Sequence, residues 1–175
     1  MKNFVIAASL MVGALALAKG PVPEDYLQGR VIISDKSFPM SWNSVSSYVS
    51  TMKNLNKGTL WYDKKTGKLT LQYAAFFSAP VNDVQVMLNL IDVTGGAHTQ
   101  KVQTEQFMQQ GKRVLFNSVE LNKEDLEGNK EYLMTIEDRH RIIASGKFIL
   151  REEGPHYSGK VTFTDDDTKA SSDSH

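Results

Sequence analysis

The stretch that decides the fold runs from Lys68 to Thr94 and reads KLTLQYAAFFSAPVNDVQVMLNLIDVT. Apolar and polar residues alternate on both sides of its Pro-Val-Asn-Asp segment, and such alternation is typical of β-strands with one buried face. The sequence therefore predicts two strands joined by a turn after Pro80, which we expect to pair as a hairpin. Between Ala74 and Phe77 the first strand is apolar on both faces, so we expect something to cover its second side.

The stretch from Ser41 to Gly58 predicts one helix, near residues 41–55. An apolar stripe at helical spacing supports it, formed by Trp42, Val45, Tyr48, Val49 and Met52. The many serines are weak helix formers, so the assignment depends on the stripe. This helix is the nearest apolar surface left to cover Ala74–Phe77, and we therefore expect Trp42 and Tyr48 to be structural.

Further short strands are predicted at Arg30–Ser34, Thr59–Tyr62, Val114–Leu121, Glu131–Asp138, Arg141–Arg151 and Gly159–Thr164. We expect Thr59–Tyr62 to form a hairpin with the strand that begins at Lys68, and Thr104–Gln110 to form one or two helical turns. This pattern predicts a mostly β domain, an antiparallel β-sandwich of immunoglobulin-like general shape. The alternative is an α+β fold with the helix packed on a single antiparallel sheet.

The segment from Leu121 to Leu150 resembles the end of immunoglobulin-like domains. In those domains a helical turn at a crossover precedes a strand that opens with tyrosine, here Tyr132, and a final hairpin follows. The family's Asp-x-Gly-x-Tyr spacing is stretched here to Asp125, Gly128 and Tyr132, and its cysteine pair is missing. The resemblance covers this segment alone and implies an architecture only.

The N-terminus predicts export. A basic start is followed by an apolar run from Phe4 to Leu17, and Ala16-Leu17-Ala18 supplies the small residues that a signal peptidase needs. Because the run is shorter than a membrane span of about 20 residues, we expect residues 1–18 to be a cleaved signal peptide that leaves no stable membrane anchor. Residues 19–28 are then an extended lead-in, residues 29–164 a single β-rich domain and residues 165–175 a disordered acidic tail.

Composition argues against several classes of function. The chain has no cysteine, which excludes a disulfide scaffold, a zinc–thiolate site and a cysteine nucleophile. Without Lys2 of the signal peptide, 19 of the 20 basic residues remain against 20 acidic ones, and this balance argues against a nucleic-acid partner. The compact signal peptide and the absence of cysteine favour a bacterial envelope, with the periplasm or the outside as destination.

The segment from Gly154 to Lys160 matches the G-x-x-x-x-G-K pattern of a phosphate-binding loop. Val161 follows where such a loop needs Ser or Thr and a helix, so we expect no nucleotide partner. The same loop presents His156 and Tyr157 in a turn framed by Gly and Pro, and binding residues are common on such loops. These two are the predicted binding residues, although Tyr157 has the alternative of packing on the sheet edge.

No pattern in the sequence predicts catalysis. The four histidines lie in predicted loops, turns or the tail, and none is at metal-ligand spacing from another, so we expect no metal site and no cofactor. Arg139-His140-Arg141 is a basic hairpin turn, large enough for one anionic contact. We therefore expect a non-enzymatic binding, adhesion or assembly module whose partner is another envelope or extracellular protein.

The alternative function is a carbohydrate-binding module or a small glycan-acting protein. Aromatic rings that stack on sugars would supply it, and the candidates are Trp42, Tyr48, Trp61 and Tyr62. Trp61 and Tyr62 are adjacent in a strand and point to opposite faces, so we expect at least one of them in the core. A lipid carrier is a third possibility, if a ligand rather than protein covers the second apolar face of residues 68–94.

Overall fold

The computed structural model describes residues 20–63 and 65–152. The predicted signal peptide, the predicted strand at 159–164, the predicted tail and the binding candidates His156 and Tyr157 lie outside the described residues. Among the helices that are described, none is both long and apolar enough to cross a membrane.

The described chain is mostly β, as predicted. Its elements in chain order are α1 (Pro23–Leu27), β1 (Val31–Ser34), α2 (Val45–Leu55), β2 (Thr59–Trp61), β3 (Lys68–Val81), β4 (Gln85–Asp92), β5 (Thr99–Phe107), β6 (Lys112–Asn122), β7 (Lys130–Asp138) and β8 (Arg141–Arg151). The helical turn expected at Thr104–Gln110 is wrong, because β5 continues to Phe107 and pairs with β4 along its length.

The strands of the described residues form two sheets. One has the order β1-β3-β6 and the other the order β2-β8-β7-β4-β5. The inner faces of both sheets contribute to one hydrophobic cluster, which includes Tyr73 and Phe77 from β3, Leu88 from β4 and Phe148 from β8. The alternative of a single antiparallel sheet is therefore wrong.

Both strands of the stretch from Lys68 to Thr94 are present, but they do not form a hairpin. β3 pairs with β1 and β6, whereas β4 pairs with β5 and β7. The short turn Asn82–Val84 carries the chain from one sheet to the other. The apolar faces of β3 and β4 therefore meet in the shared core instead of lying side by side in one sheet.

The pairing expected for β2 is wrong in the same way. β2 runs parallel to β8, with Leu60 opposite Leu150, and does not pair with β3. Leu60 is buried in the shared core.

The helix α2 covers the outer side of β3, as predicted. The helix begins at Val45 rather than near residue 41, and the side chain of Ser44 caps it by accepting a hydrogen bond from the Ser47 N–H at 3.2 Å. Tyr48 and Met52 of α2 belong to a second hydrophobic cluster with Ala74 and Phe76. Protein therefore covers the second apolar face of β3, and the two-sided apolar pattern of this strand has a structural explanation.

Candidate functional site

The fold places the four aromatic residues considered for sugar binding in two pairs on different parts of the molecule, Trp42 with Tyr48 and Trp61 with Tyr62. Tyr48 and Tyr62 are buried, and the Tyr62 hydroxyl donates to the Leu126 carbonyl at 2.6 Å. Trp42 and Trp61 remain 48% and 54% exposed. Trp42 packs on Tyr48 of α2, with ring centroids 4.8 Å apart, whereas Trp61 ends β2 in the five-stranded sheet. The prediction that Trp61 and Tyr62 face opposite sides, with one in the core, is confirmed.

Two of the four histidines lie in the described residues. His98 follows the short 3-10 turn after β4, and His140 lies in the β7–β8 turn. Within residues 20–63 and 65–152, no group of three His, Asp or Glu side chains is arranged to hold a metal ion.

Two turns meet at one end of the molecule, and an ion pair joins them. One is the Asn82–Val84 turn between β3 and β4, and the other is the Arg139–His140 turn between β7 and β8. The Arg139 guanidinium donates from Nε to Asp83 Oδ2 at 2.8 Å and from Nη2 to Asp83 Oδ1 at 2.7 Å. This two-point contact links the crossover between the sheets to the last hairpin. We call these two turns and the depression between them the loop end.

The hairpin turn of the loop end has an unusual backbone. Arg139 and His140 have φ angles of 49° and 64°, which lie in the left-handed region that residues other than glycine rarely adopt. Two successive residues in this region match the tight two-residue turn that suits the twist of paired strands. The turn therefore orients the Arg139 side chain by backbone geometry as well as by the contact with Asp83.

A depression of about 440 Å³ opens at the loop end. Its lining combines aliphatic, amide and charged side chains: Asp83, Val84, Gln85, Val86, Met87, Gln103, Glu137, Asp138, Arg139 and His140. Asp83, Glu137 and Asp138 supply three carboxylates against the single guanidinium of Arg139, so the lining is acidic. The Asp138 Oδ1 atom is buried and accepts no hydrogen bond from the described residues.

The charges of the loop end stabilise one another. Hydrogen bonds from Arg139 are the main cause that lowers the pKa of Asp83, and the same contact raises the pKa of Arg139. Both groups therefore stay ionised at neutral pH. Exposed ion pairs contribute little to stability, so this pair links the two turns only weakly, with the Arg139 side chain 74% exposed.

A second depression lies on the opposite layer, between α1 and α2. It has a volume of about 570 Å³ and is lined by Tyr26, Val45, Ser46, Val49, Ser50 and Lys53. Its polar groups are hydroxyls and one ammonium, without a carboxylate. It therefore lacks the paired charges that organise the loop end.

Sequence reasoning did not find the loop end. Asp83 and Arg139 are 56 residues apart, and nothing in the spacing of charges indicates that the turns meet. The sequence predicts Arg139-His140-Arg141 as a basic hairpin turn large enough for one anionic contact. In the structure the Arg139 guanidinium already pairs with the Asp83 carboxylate. Glu137 and Asp138 lie in the same lining. The only usable signal was the turn-forming Asn-Asp pair at the end of β3.

Comparison of the chain with protein-family models and with curated proteins found no match. The functional proposal therefore depends on the contacts of the loop end and on the arrangement of the strands.

Proposed function

We propose that this protein is an exported, non-enzymatic binding module of the bacterial envelope that contacts another envelope or extracellular protein through the loop end. The predicted signal peptide supports a location in the periplasm or outside the cell. The observation that carries the proposal is the depression between two turns that the Asp83–Arg139 pair links. Loops fixed on a rigid sheet scaffold are common sites of recognition.

The strand order supports an immunoglobulin-like sandwich as the scaffold. In that class the first, second and fifth strands (A, B and E) share one sheet, and the C, F and G strands share the other, with an added C′ strand beside C in variable-type domains. Here the sheet β1-β3-β6 matches the A-B-E order, and β8-β7-β4-β5 matches the G-F-C-C′ order.

A tyrosine contact supports the same assignment. Tyr132, near the start of β7, donates a hydrogen bond to the Glu127 carbonyl and accepts one from the Glu127 N–H, both at 2.9 Å. A tyrosine at the start of the F strand that bonds back to the preceding main chain is a hallmark of these domains. On this assignment the turns of the loop end are the B–C and F–G loops, which variable-type domains use for binding.

The lining of the depression favours a partner with a basic contact residue. Val84 and Met87 offer aliphatic surface, and Glu137 and Asp138 offer carboxylates next to it. A lysine or arginine side chain has a matching apolar stem and cationic head. A sugar ligand has less support, because Tyr48 and Tyr62 are buried and Trp42 and Trp61 belong to different layers.

The proposal is tested by affinity capture from envelope extracts with the tagged chain. We expect the wild type to capture a specific partner, and the double variant Asp83→Ala/Arg139→Ala to bind that partner at least about tenfold more weakly, as expected for a central interface residue. The matched control is Glu131→Ala/Lys147→Ala, which removes another exposed ion pair of the same sheet, with a distance of 3.3 Å. This control should bind as the wild type does.

Two outcomes would contradict the proposal. One is that the wild type reproducibly captures nothing. The other is that the loop-end variant binds as tightly as the control while both unfold at the wild-type temperature. Cell fractionation of the producing strain tests the export prediction separately, since a chain that stays cytoplasmic cannot meet an envelope partner.

A further inference from the structure

The strand β5 forms an open edge of the five-stranded sheet. β5 is last in the strand order, and no other strand of the described chain lies beyond it. The Met108 N–H donates to the Val84 carbonyl at 2.9 Å, which sets the phase of the antiparallel ladder. Because bonded and non-bonded pairs alternate, Gln103, Glu105 and Phe107 direct their main-chain N–H and C=O groups away from β4. Such a row of groups can pair with another chain.

The part of this edge that suits an added strand is short and has a defined end. The register between β4 and β5 shifts at Lys101, which has no partner on β4 and marks a bulge. Its ammonium contacts Glu127 Oε1 at 2.9 Å, so this side chain is engaged within its own chain. A bulge with an edge lysine is a common way to stop strand pairing. The edge that remains is therefore the regular stretch from Gln103 to Phe107.

The side chains of this stretch combine acidic and apolar groups on the outer face of the sheet. Leu88 lies in the core, so its neighbour Met87 faces outward. Met87 lies between Glu105 on one side and Glu137 on the other, and neither carboxylate takes part in an ion pair among the described residues. Phe107 is 70% exposed. The outer face beside the free edge is therefore acidic and partly apolar.

We propose that an extended segment of the partner protein adds to β5 as an antiparallel strand, with a lysine or arginine opposite Glu105 and an apolar residue opposite Phe107. Main-chain hydrogen bonds supply the affinity of such strand addition, and alternate side chains supply its specificity. An opposite charge and an apolar contact directly across from each other both stabilise paired strands. The inference rests on the proposed function, because Gln103 and Glu137 also line the depression of the loop end.

The direction of pairing defines the order of residues in the partner segment. In an antiparallel pair the residue opposite Phe107 precedes the residue opposite Glu105 by two positions. The residue between them points to the other face of the sheet, and neither Phe107 nor Glu105 specifies it. From the N- to the C-terminus, the motif is therefore an apolar or aromatic residue, any residue, and then a lysine or arginine.

An opposite interpretation of the same edge makes a contrasting prediction. A charged side chain and a bulge also protect edge strands from association. On that interpretation no extended peptide binds to β5, whatever its charge.

Fluorescence anisotropy with labelled peptides and the full chain distinguishes the two interpretations. The probe is a short peptide of threonines that carries a phenylalanine and, two positions later, a lysine. Its match has a glutamate in place of the lysine. We expect the lysine peptide to bind at least about tenfold more tightly than the glutamate peptide. Glu105→Lys should reverse this preference, which a variant that is merely misfolded cannot do.

Two control variants and one mapping measurement locate the binding. Glu124→Lys makes the same charge change in the connection between β6 and β7 and should leave the preference for the lysine peptide unchanged. Gln103→Pro removes an N–H that does not bond to β4, so it should abolish binding while circular dichroism retains the β signal. In the wild type saturated with the lysine peptide, hydrogen exchange should slow at the N–H groups of Gln103, Glu105 and Phe107.

Three results would overturn the inference. They are a lysine peptide that does not bind up to its solubility limit, equal binding of the two peptides, and slowed exchange confined to other elements.

Failure of this inference is distinguishable from failure of the proposed function. If Asp83→Ala/Arg139→Ala loses the captured partner while Glu105→Lys retains it, strand addition is refuted and the proposed function stands. If the wild type captures nothing from envelope extracts but prefers the lysine peptide, the site on β5 stands and the proposed function is refuted.

Discussion

Replacing Tyr132 with phenylalanine tests the contact that ties the crossover between β6 and β7 to the core. The Tyr132 side chain is fully buried, and its ring stacks on Phe148 with centroids 5.7 Å apart. Tyr132→Phe keeps these ring contacts and removes only the hydroxyl. The main-chain N–H and C=O of Glu127 then both lose their partner.

The expected cost follows from these two hydrogen bonds. Each intramolecular hydrogen bond contributes about 0.5–1.5 kcal/mol net, so the free energy of unfolding should fall by about 1–3 kcal/mol. In a chain of this size each kcal/mol lowers the unfolding temperature by about 2–4 °C, which predicts a fall of about 2–12 °C.

Thermal and urea unfolding followed by circular dichroism measure this change. The control is Tyr26→Phe, because Tyr26 is 56% exposed and should leave the unfolding temperature unchanged. Tyr62 also donates to this crossover, through the Leu126 carbonyl, so Tyr132→Phe and Tyr62→Phe should be non-additive when combined. If Tyr132→Phe unfolds at the same temperature as Tyr26→Phe, the hydroxyl contact does not stabilise the crossover and the reasoning is refuted.

Three further predictions concern packing and pH. In Gly146→Ala the new Cβ would collide with the main chain of β1, so the free energy of unfolding should fall by about 1–3 kcal/mol. Gly58→Ala is the control, because a Cβ at Gly58 meets open space and should be tolerated. Met52→Ala opens a cavity under α2, where Met52 is fully buried. The free energy of unfolding measured by chemical denaturation should fall by about 2–5 kcal/mol. The Lys130 ammonium is the main cause that lowers the pKa of Asp92 to about 2. Since an Asp side chain in the unfolded chain titrates near 3.9, the Asp92–Lys130 contact adds to the free energy of unfolding above about pH 4, and this contribution is lost as the pH falls towards 2. In Asp92→Asn the free energy of unfolding should therefore vary less with pH between 4 and 2.

The candidate site was less predictable from the sequence than the elements that carry it. The sequence pointed to His156 and Tyr157, which lie outside the described residues, and it missed Asp83 and Arg139. An ion pair between two turns depends on where the turns meet in space, and charged residues in turns have no periodicity that reports their partners.

The sequence by itself determined part of the local structure of this protein. Alternation with a period of two predicted β3 and β4, and the apolar stripe predicted α2, because both patterns state which face of an element must be buried. Only the tertiary structure decided that β3 and β4 lie in different sheets and that β2 pairs with β8. The physical reason is that an apolar face is equally buried whether its neighbour in sequence pairs beside it or packs opposite it, so burial patterns leave the hydrogen-bonding partner of each strand undetermined.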